Sequence, residues 1–220
     1  MIERLLPAEV ACADTYETEA PAGTLYPEEA ALVATSVAKR RHEFAAVRGC
    51  ARRAMVALGL PPSPVLRGHR GMPLWPEGFV GSMTHCEGYR AAVLARASDV
   101  RGLGIDAEPN EPLPAGVWEV IALPSERERI PPAAPDAAHH WDRLLFCAKE
   151  SVFKVWFPLT RVELGFDEAD ITFHRRTENA SEGTFTAELL RTAPGMPHSL
   201  RGRWLIDDGF AVTAIALPAA

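Results

Sequence analysis

A pair of carboxylates, a lysine–glutamate–lysine helix face and a run of arginines are the residues whose types and spacing could do chemistry in this chain. In LGIDAEP, 103–109, polar and apolar positions alternate as in a strand. Asp106 and Glu108 then share one face, about 7 Å apart along the strand, and Ile105 and Ala107 take the other. Like charges at that spacing repel, which is tolerable when a hard divalent cation sits between them. Glycines 102 and 104 allow another backbone to come close. The plain alternative is a strand end with two exposed acids.

The stretch WDRLLFCAKESVFKVWFP, 141–158, has the period of a helix. Leu144, Leu145, Ala148, Val152, Val155 and Trp156 fall on one arc and Lys149, Glu150 and Lys154 on the opposite one, with Phe146 and Phe153 between. An ordinary Glu150–Lys154 surface pair would explain the charges. It does not explain two phenylalanines among them, whereas an acid between lysines beside aromatic walls could receive something anionic.

The arginines lie in 27–60, which reads as helical from Pro27, with Glu28 and Glu29 suited to the positive end of the helix dipole. Phe44, Val47, Ala51, Met55 and Leu58 make a core stripe. Arg41, Arg48 and Arg52 form a second stripe, and Arg40 lies nearer the core edge. Guanidiniums in line repel unless an anion or acids elsewhere in the fold meet them, and Arg suits bidentate phosphate contacts. After LPPSP ends this helix, the loop RGHRG adds Arg67, Gly68, His69 and Arg70, with glycines that let backbone N–H groups approach a ligand. In the short strand that follows, Ser82 and Thr84 share a face and His85 points the other way. Carboxylates, arginines and the Lys/Glu helix together fit metal-assisted transfer involving phosphates.

Bulk properties narrow the classes. With 220 residues, 47% hydrophobic and 24% charged, the chain has enough material for a proper core. A net charge of −6 argues against a general nucleic-acid binder. No apolar run reaches membrane-spanning length and no signal-like segment opens the chain, so it reads as cytoplasmic. Cys12, Cys50, Cys86 and Cys147 have no CxxC spacing and suggest neither zinc nor disulfides. Cys147 reads as a small buried residue.

The remaining elements are a strand at 89–96, a short helix around Val117–Ile121, a Ser125–Glu128 capping box and a Pro/Ala linker at 131–140 with His139 and His140 on the surface. Strands follow at 166–173, 183–191, 200–206 and 210–217, the last two joined through Asp207, Asp208 and Gly209. That order is α+β, with helix then strands occurring twice. We therefore expect two similar α+β halves related by a pseudo-twofold, 1–105 and 106–220, with a site at the junction near 105–110.

The segments GIDAE at 104–108 and FCAKESVFK at 146–154 resemble the two signature motifs of 4′-phosphopantetheinyl transferases, broadly GxDxE and (W/F)xxKE(S/A)xxK. KRRHEFAAVRGCARRAM at 39–55, GMPLWPEGFVGSMTH at 71–85 and GFDEADITF at 165–173 extend the resemblance to about 35–175, in the version of the single-chain enterobactin-synthetase and mycobacterial branch of the surfactin type. Phe146 stands where Trp is frequent, a mild departure. The resemblance implies coenzyme A as donor, a serine of an acyl or peptidyl carrier protein as acceptor (apo to holo), release of 3′,5′-adenosine bisphosphate, Mg²⁺ with Mn²⁺ as the alternative, and a monomer that uses neither nucleic acid nor membrane. It assigns Asp106, Glu108 and the Ala107 carbonyl to the metal, and Glu150 to the metal or to the general base. Lys149 goes to the reacting phosphates, and Arg40, Arg48, Arg67, Gly68, His69, Arg70, Thr84, His85 and Lys154 to coenzyme A. Arg40 and Arg48 rank above Arg41 and Arg52. The rival readings are a non-catalytic coenzyme A binder, which has no need of Glu150 beside Asp106 and Glu108, and a carrier-binding module in which these charges form surface pairs.

Overall fold

Each half of the chain lays one 20-residue helix against an antiparallel sheet. The structure, a computed structural model, describes residues 1–16, 25–130, 138–175, 177 and 180–219. In the first half β1 (Ala11–Thr15), β4 (Phe79–Cys86) and β5 (Tyr89–Arg96) pair in the order β1-β5-β4. Helix α2 (Ala38–Ala57) covers one face, packing Cys50, Ala51, Ala54 and Met55 against Ala92 and Leu94. The expected helix from Pro27 is broken: α1 (Pro27–Ala31) stops short of α2. Between them Val33, Thr35 and Val37 are β-branched and weak helix formers. Phe44 and Val47, read as core stripe, are buried but line a cleft at the head of α2. A ribbon of β2 (Leu66–Arg67) and β3 (Pro73–Leu74) holds the RGHRG loop.

The second half carries β6 (Val100–Pro109), β7 (Ala169–Arg175), β8 (Glu182–Leu189), β9 (Ser199–Asp207) and β10 (Phe210–Pro218) in the order β6-β10-β9-β8-β7. The β9–β10 turn has Asp208 at φ 50° and Gly209 at φ 79°, the left-handed pair that a tight hairpin needs. Helix α5 (Trp141–Thr160) crosses this sheet and buries Leu144, Leu145, Val152, Val155 and Trp156 completely. It outruns the expected end at Pro158, which costs the last turn one backbone donor, and stops at Arg161, φ 60°. The short helices α3 (Val117–Ile121) and α4 (Pro124–Arg129) precede it, and residues 131–137 of the expected linker lie outside the described residues. The segment at 166 begins as a 3₁₀ turn and becomes strand only at Ala169. Residues 1–16 supply β1 and a 3₁₀ turn at Ile2–Leu5.

The halves meet through a shared core of Ala91, Val93 and Ala95 against Leu103, Ile105, Ala107, Val212 and Ala214. β6 is an edge strand whose free N–H groups are not left bare. Ile105 N donates to Ser82 Oγ (3.1 Å) and Ala107 N to Thr84 Oγ1 (3.1 Å), so two hydroxyls of β4 take the place of a backbone ladder. The expected division after 105 falls inside β6. The whole strand is hydrogen-bonded to β10 and belongs to the C-terminal sheet.

Candidate active site

The site is built where α5 crosses β6. A Cβ on Gly104 would lie 2.0 Å from the Ser151 carbonyl oxygen, so only glycine admits the helix this close. Contact at that distance sets Lys154 over the strand, where its Nζ donates to Ile105 O (3.0 Å) and Asp106 Oδ1 (2.7 Å). Asp106 is buried, and Thr84 Oγ1 donates to the same Oδ1 at 3.0 Å. Among the described residues Oδ2 has no hydrogen-bond partner. Glu108, on the same strand face, is held by Arg143 at 3.3 Å. Burial, and then the Asp106 charge, push the Glu108 carboxyl above the ordinary carboxylate range. Glu150 is also raised, by burial first and by Asp106 second, while Lys154 opposes the shift. Among the described residues the Glu150 carboxylate has neither a hydrogen bond nor an ion pair.

An orphaned buried carboxylate oxygen with two further acids in its field is a fit for a hard divalent cation, since oxygen donors of net negative charge are what Mg²⁺ and Mn²⁺ take. As the side chains stand, no three His, Cys, Asp or Glu groups among the described residues converge into a ligand cluster. Glu108 leans to Arg143 and Lys154 leans to Asp106.

A cleft of about 260 Å³ opens beside this wall between α2, the RGHRG loop and α5. Glu150, Phe153, Lys154 and Phe157 form one side, and Arg40, Arg48, Arg67 and Arg70 supply the opposing charge, with His85 among them. Phe44 sits under two of these cations, its ring centroid 3.2 Å from Arg48 Cζ and 4.9 Å from Arg67 Cζ. Arg48 is buried, with Nε on Val65 O (3.0 Å) and Glu29 at 3.7 Å. Burial pushes its guanidinium down to about 9, against the pull of Glu29. His85 touches the Arg40 guanidinium and lies 3.8 Å from Glu43. Burial and then Arg40 lower its pKa, keeping the imidazole neutral to lower pH, with Glu43 opposing.

Not all of the expected site residues meet the cleft. Lys149 does not reach the arginine cleft: it pairs with Glu126 at 2.7 Å, both side chains at most 2% exposed. It also donates to Phe166 O (2.6 Å) and Ala169 O (3.0 Å), so all three ammonium donors are used internally. Burial lowers its pKa, with Glu126 holding the proton on. Thr84 is buried, and its hydroxyl donates to Asp106 Oδ1 and accepts from Ala107 N. Gly68 turns the loop, with N–H on Met72 O, and His69 stacks on Phe157; neither lines the cleft. Arg70 does, though it is paired with Glu163 at 2.5 Å. Of the arginine stripe, Arg52 is bound to the buried Glu29 (3.0 Å) and Arg41 to Ser36 O (3.1 Å). Phe146 packs on Phe166 in the core and Phe153 remains at the cleft. Ser125 does not cap α4; its hydroxyl donates to Asp170, and Glu126 accepts from Leu123 N (2.8 Å) in the capping position. His140, expected at the surface, is buried, while His139 is part-exposed against Trp141. Cys147 is fully buried, as read.

Two contributors went unread. Arg143 stands seven residues before Glu150 on the same helix face, a spacing that could have revealed it as the partner of Glu108. Glu43 lies one turn after Arg40 and completes the Arg40–His85 cluster.

Comparison with known proteins identifies the family. The model of the 4′-phosphopantetheinyl transferase N-terminal domain matches residues 28–95, and that of the 4′-phosphopantetheinyl transferase superfamily matches 102–207. The chain is 54% identical over 228 residues to 4′-phosphopantetheinyl transferase Svp of Streptomyces mobaraensis, covering 100% of this chain and 90% of the relative. It is 50% identical over 225 residues to 4′-phosphopantetheinyl transferase PptT of Mycobacterium tuberculosis, covering 99% and 98%. Enterobactin synthase component D of Salmonella typhimurium is 32% identical over 182 residues, covering 81% and 72%. With the two matched models falling on the two halves that flank the α5–β6 crossing, this chain belongs to the 4′-phosphopantetheinyl transferase superfamily, in its actinobacterial branch.

Proposed function

We propose that the enzyme transfers the 4′-phosphopantetheine arm of coenzyme A to a serine of acyl or peptidyl carrier proteins and releases 3′,5′-adenosine bisphosphate. The observation that carries this reading is the buried Asp106 Oδ2, without a partner among the described residues, on a carboxylate paired with Lys154 of a cleft lined by arginines. Asp106 and Glu108, with the Ala107 carbonyl, would hold Mg²⁺ or Mn²⁺, which when bound supplies charge neutralisation for the pyrophosphate. Arg40, Arg48 and Arg67 bind the phosphates at the adenosine end, with His85 as a neutral hydrogen-bonding neighbour. Lys154 offsets charge on the transferred and leaving phosphates. Glu150, raised by burial and free of other partners, accepts the proton as the serine oxygen attacks the β-phosphorus. The bond from that phosphorus to the bridging oxygen breaks, and the leaving bisphosphate takes the electron pair. Phosphoryl transfer asks the protein mainly for positioning and electrostatics, which the Gly104–Ser151 contact and the arginines are suited to give.

Lys149 has no part in this scheme beyond fixing α5. The natural acceptor would be a fatty acid, polyketide or nonribosomal peptide carrier, and the enzyme a cytoplasmic monomer. In support of a soluble setting, no helix among the described residues is long and apolar enough to cross a membrane. Chromatography of a reaction with coenzyme A, an apo carrier and Mg²⁺ tests the reading. The bisphosphate should appear in step with carrier consumption and stop on EDTA addition; a reaction indifferent to EDTA contradicts the assignment of Asp106 and Glu108.

A further inference from the structure

Lys154 stands where two charged sites meet. Its ammonium is committed to Asp106 Oδ1 (2.7 Å) and Ile105 O (3.0 Å), yet its side chain is 26% exposed and lines the arginine cleft. Asp106 is only 7% exposed at its side chain and, among the described residues, pairs with no other cation. The Glu108 carboxylate has its own cation in Arg143, so the two acids are neutralised separately. One lysine therefore supplies the charge that a divalent cation on Asp106 would supply, and the same lysine lines the arginine cleft. A four-carbon stem allows the ammonium to change partners while the helix stays fixed.

Resting on the functional reading above, we infer that Lys154 is an exchangeable counter-ion, shared between Asp106 and the phosphates of coenzyme A, that couples metal binding to coenzyme binding. A divalent cation on Asp106 repels the ammonium and sends it into the cleft. An anion in the cleft draws the ammonium off Asp106, which leaves a buried carboxylate in want of a cation. Coupling of this kind is reciprocal, so each ligand tightens the other's binding by the same factor. Thr84 keeps its hydroxyl on Asp106 Oδ1 throughout and holds the carboxylate still. A lysine that served only as a phosphate ligand would have no effect on metal binding when coenzyme A is absent.

The test is Mn²⁺ titration by electron paramagnetic resonance, without coenzyme A or carrier, of the wild type, Lys154→Met and Asp106→Asn. Removing the resident ammonium should tighten Mn²⁺ binding about tenfold in Lys154→Met, the scale of one charged hydrogen bond, and Asp106→Asn should bind weakly. In EDTA, calorimetry should show Asp106→Asn binding coenzyme A more tightly than the wild type, with the gain absent when Lys154→Met is present in both. Should Lys154→Met fail to fold, Lys154→Gln carries the same expectations. Wild-type Mn²⁺ binding that depends on Asp106 but is unchanged or weakened in the Lys154 variant overturns the exchange and leaves the metal reading intact. Absence of Asp106-dependent Mn²⁺ binding in every protein overturns both.

Discussion

The carbonyl oxygen of Ser151 on α5 occupies the space next to Gly104 on β6, 2.0 Å from where a Cβ would be. Everything at the site is referred to that contact, because Lys154 and Glu150 are placed over Asp106 only if helix and strand touch. Gly104→Ala should push α5 away, costing about 1–3 kcal/mol in stability and about a hundredfold in turnover. Gly102 is a built-in control. Its Cβ would meet only the ends of Leu159 and Val155 side chains at 3.2 Å, so Gly102→Ala should be the milder change. Thermal unfolding and turnover of the two variants check the order.

Lys149 and Glu126 form a fully internal pair. Breaking it from one side leaves a buried charge unmatched, so Glu126→Gln should lose about 3–5 kcal/mol of unfolding free energy. Replacing both, with Lys149→Met and Glu126→Leu together, should recover much of that loss while the affinity for coenzyme A stays near the wild-type value. A folded double variant that no longer binds coenzyme A would return Lys149 to the phosphates. Denaturant melts and calorimetry settle the matter.

Arg40 and Arg52 are twelve residues apart on one helix and should fail in different ways. Arg40 lines the cleft, and Arg40→Ala should raise the KM for coenzyme A about ten- to a hundredfold, the range for hydrogen bonds to a charged group. Arg52 neutralises the fully buried Glu29. Arg52→Ala should lower the unfolding temperature with little change in KM once the protein is folded.

Stability against pH follows from the acids. Glu108 and Glu150 bind protons more readily folded than unfolded, since burial, then Asp106, raise both. The folded state then holds extra protons, and stability falls as pH rises from the ordinary carboxylate pKa through the raised folded value. Glu150→Gln mimics the protonated acid. It should match the wild type at low pH, exceed it above the raised pKa, and have lost activity. Paired pH series of melting temperature and rate give both readings.

Much of this site could be read from local pattern. Alternation in LGIDAEP put Asp106 and Glu108 on one face, and the glycines at 102 and 104 signalled a close neighbour, which α5 proves to be. Helical period set Glu150 and Lys154 together. What escaped was pairing across sequence distance. Nothing within the KE motif says that Glu126, 23 residues earlier, will consume Lys149, or that Glu29 will consume Arg52. Thr84 looked like a ligand contact because the free edge of β6, which it seals, exists only once the two sheets are assembled. His140 looked exposed because its burial depends on tertiary packing that the local Pro/Ala composition conceals.

The central claim is that this wall of Asp106, Glu108, Glu150 and Lys154 moves a phosphopantetheine arm, and the intact mass of a carrier protein tests it most directly. Apo carrier incubated with the enzyme, coenzyme A and Mg²⁺ should gain about 340 Da, the arm added through a serine phosphodiester. Glu108→Ala, at saturating coenzyme A, should leave the carrier mass unchanged. An unmodified carrier with the folded wild-type enzyme, or full modification by Glu108→Ala, would contradict the account.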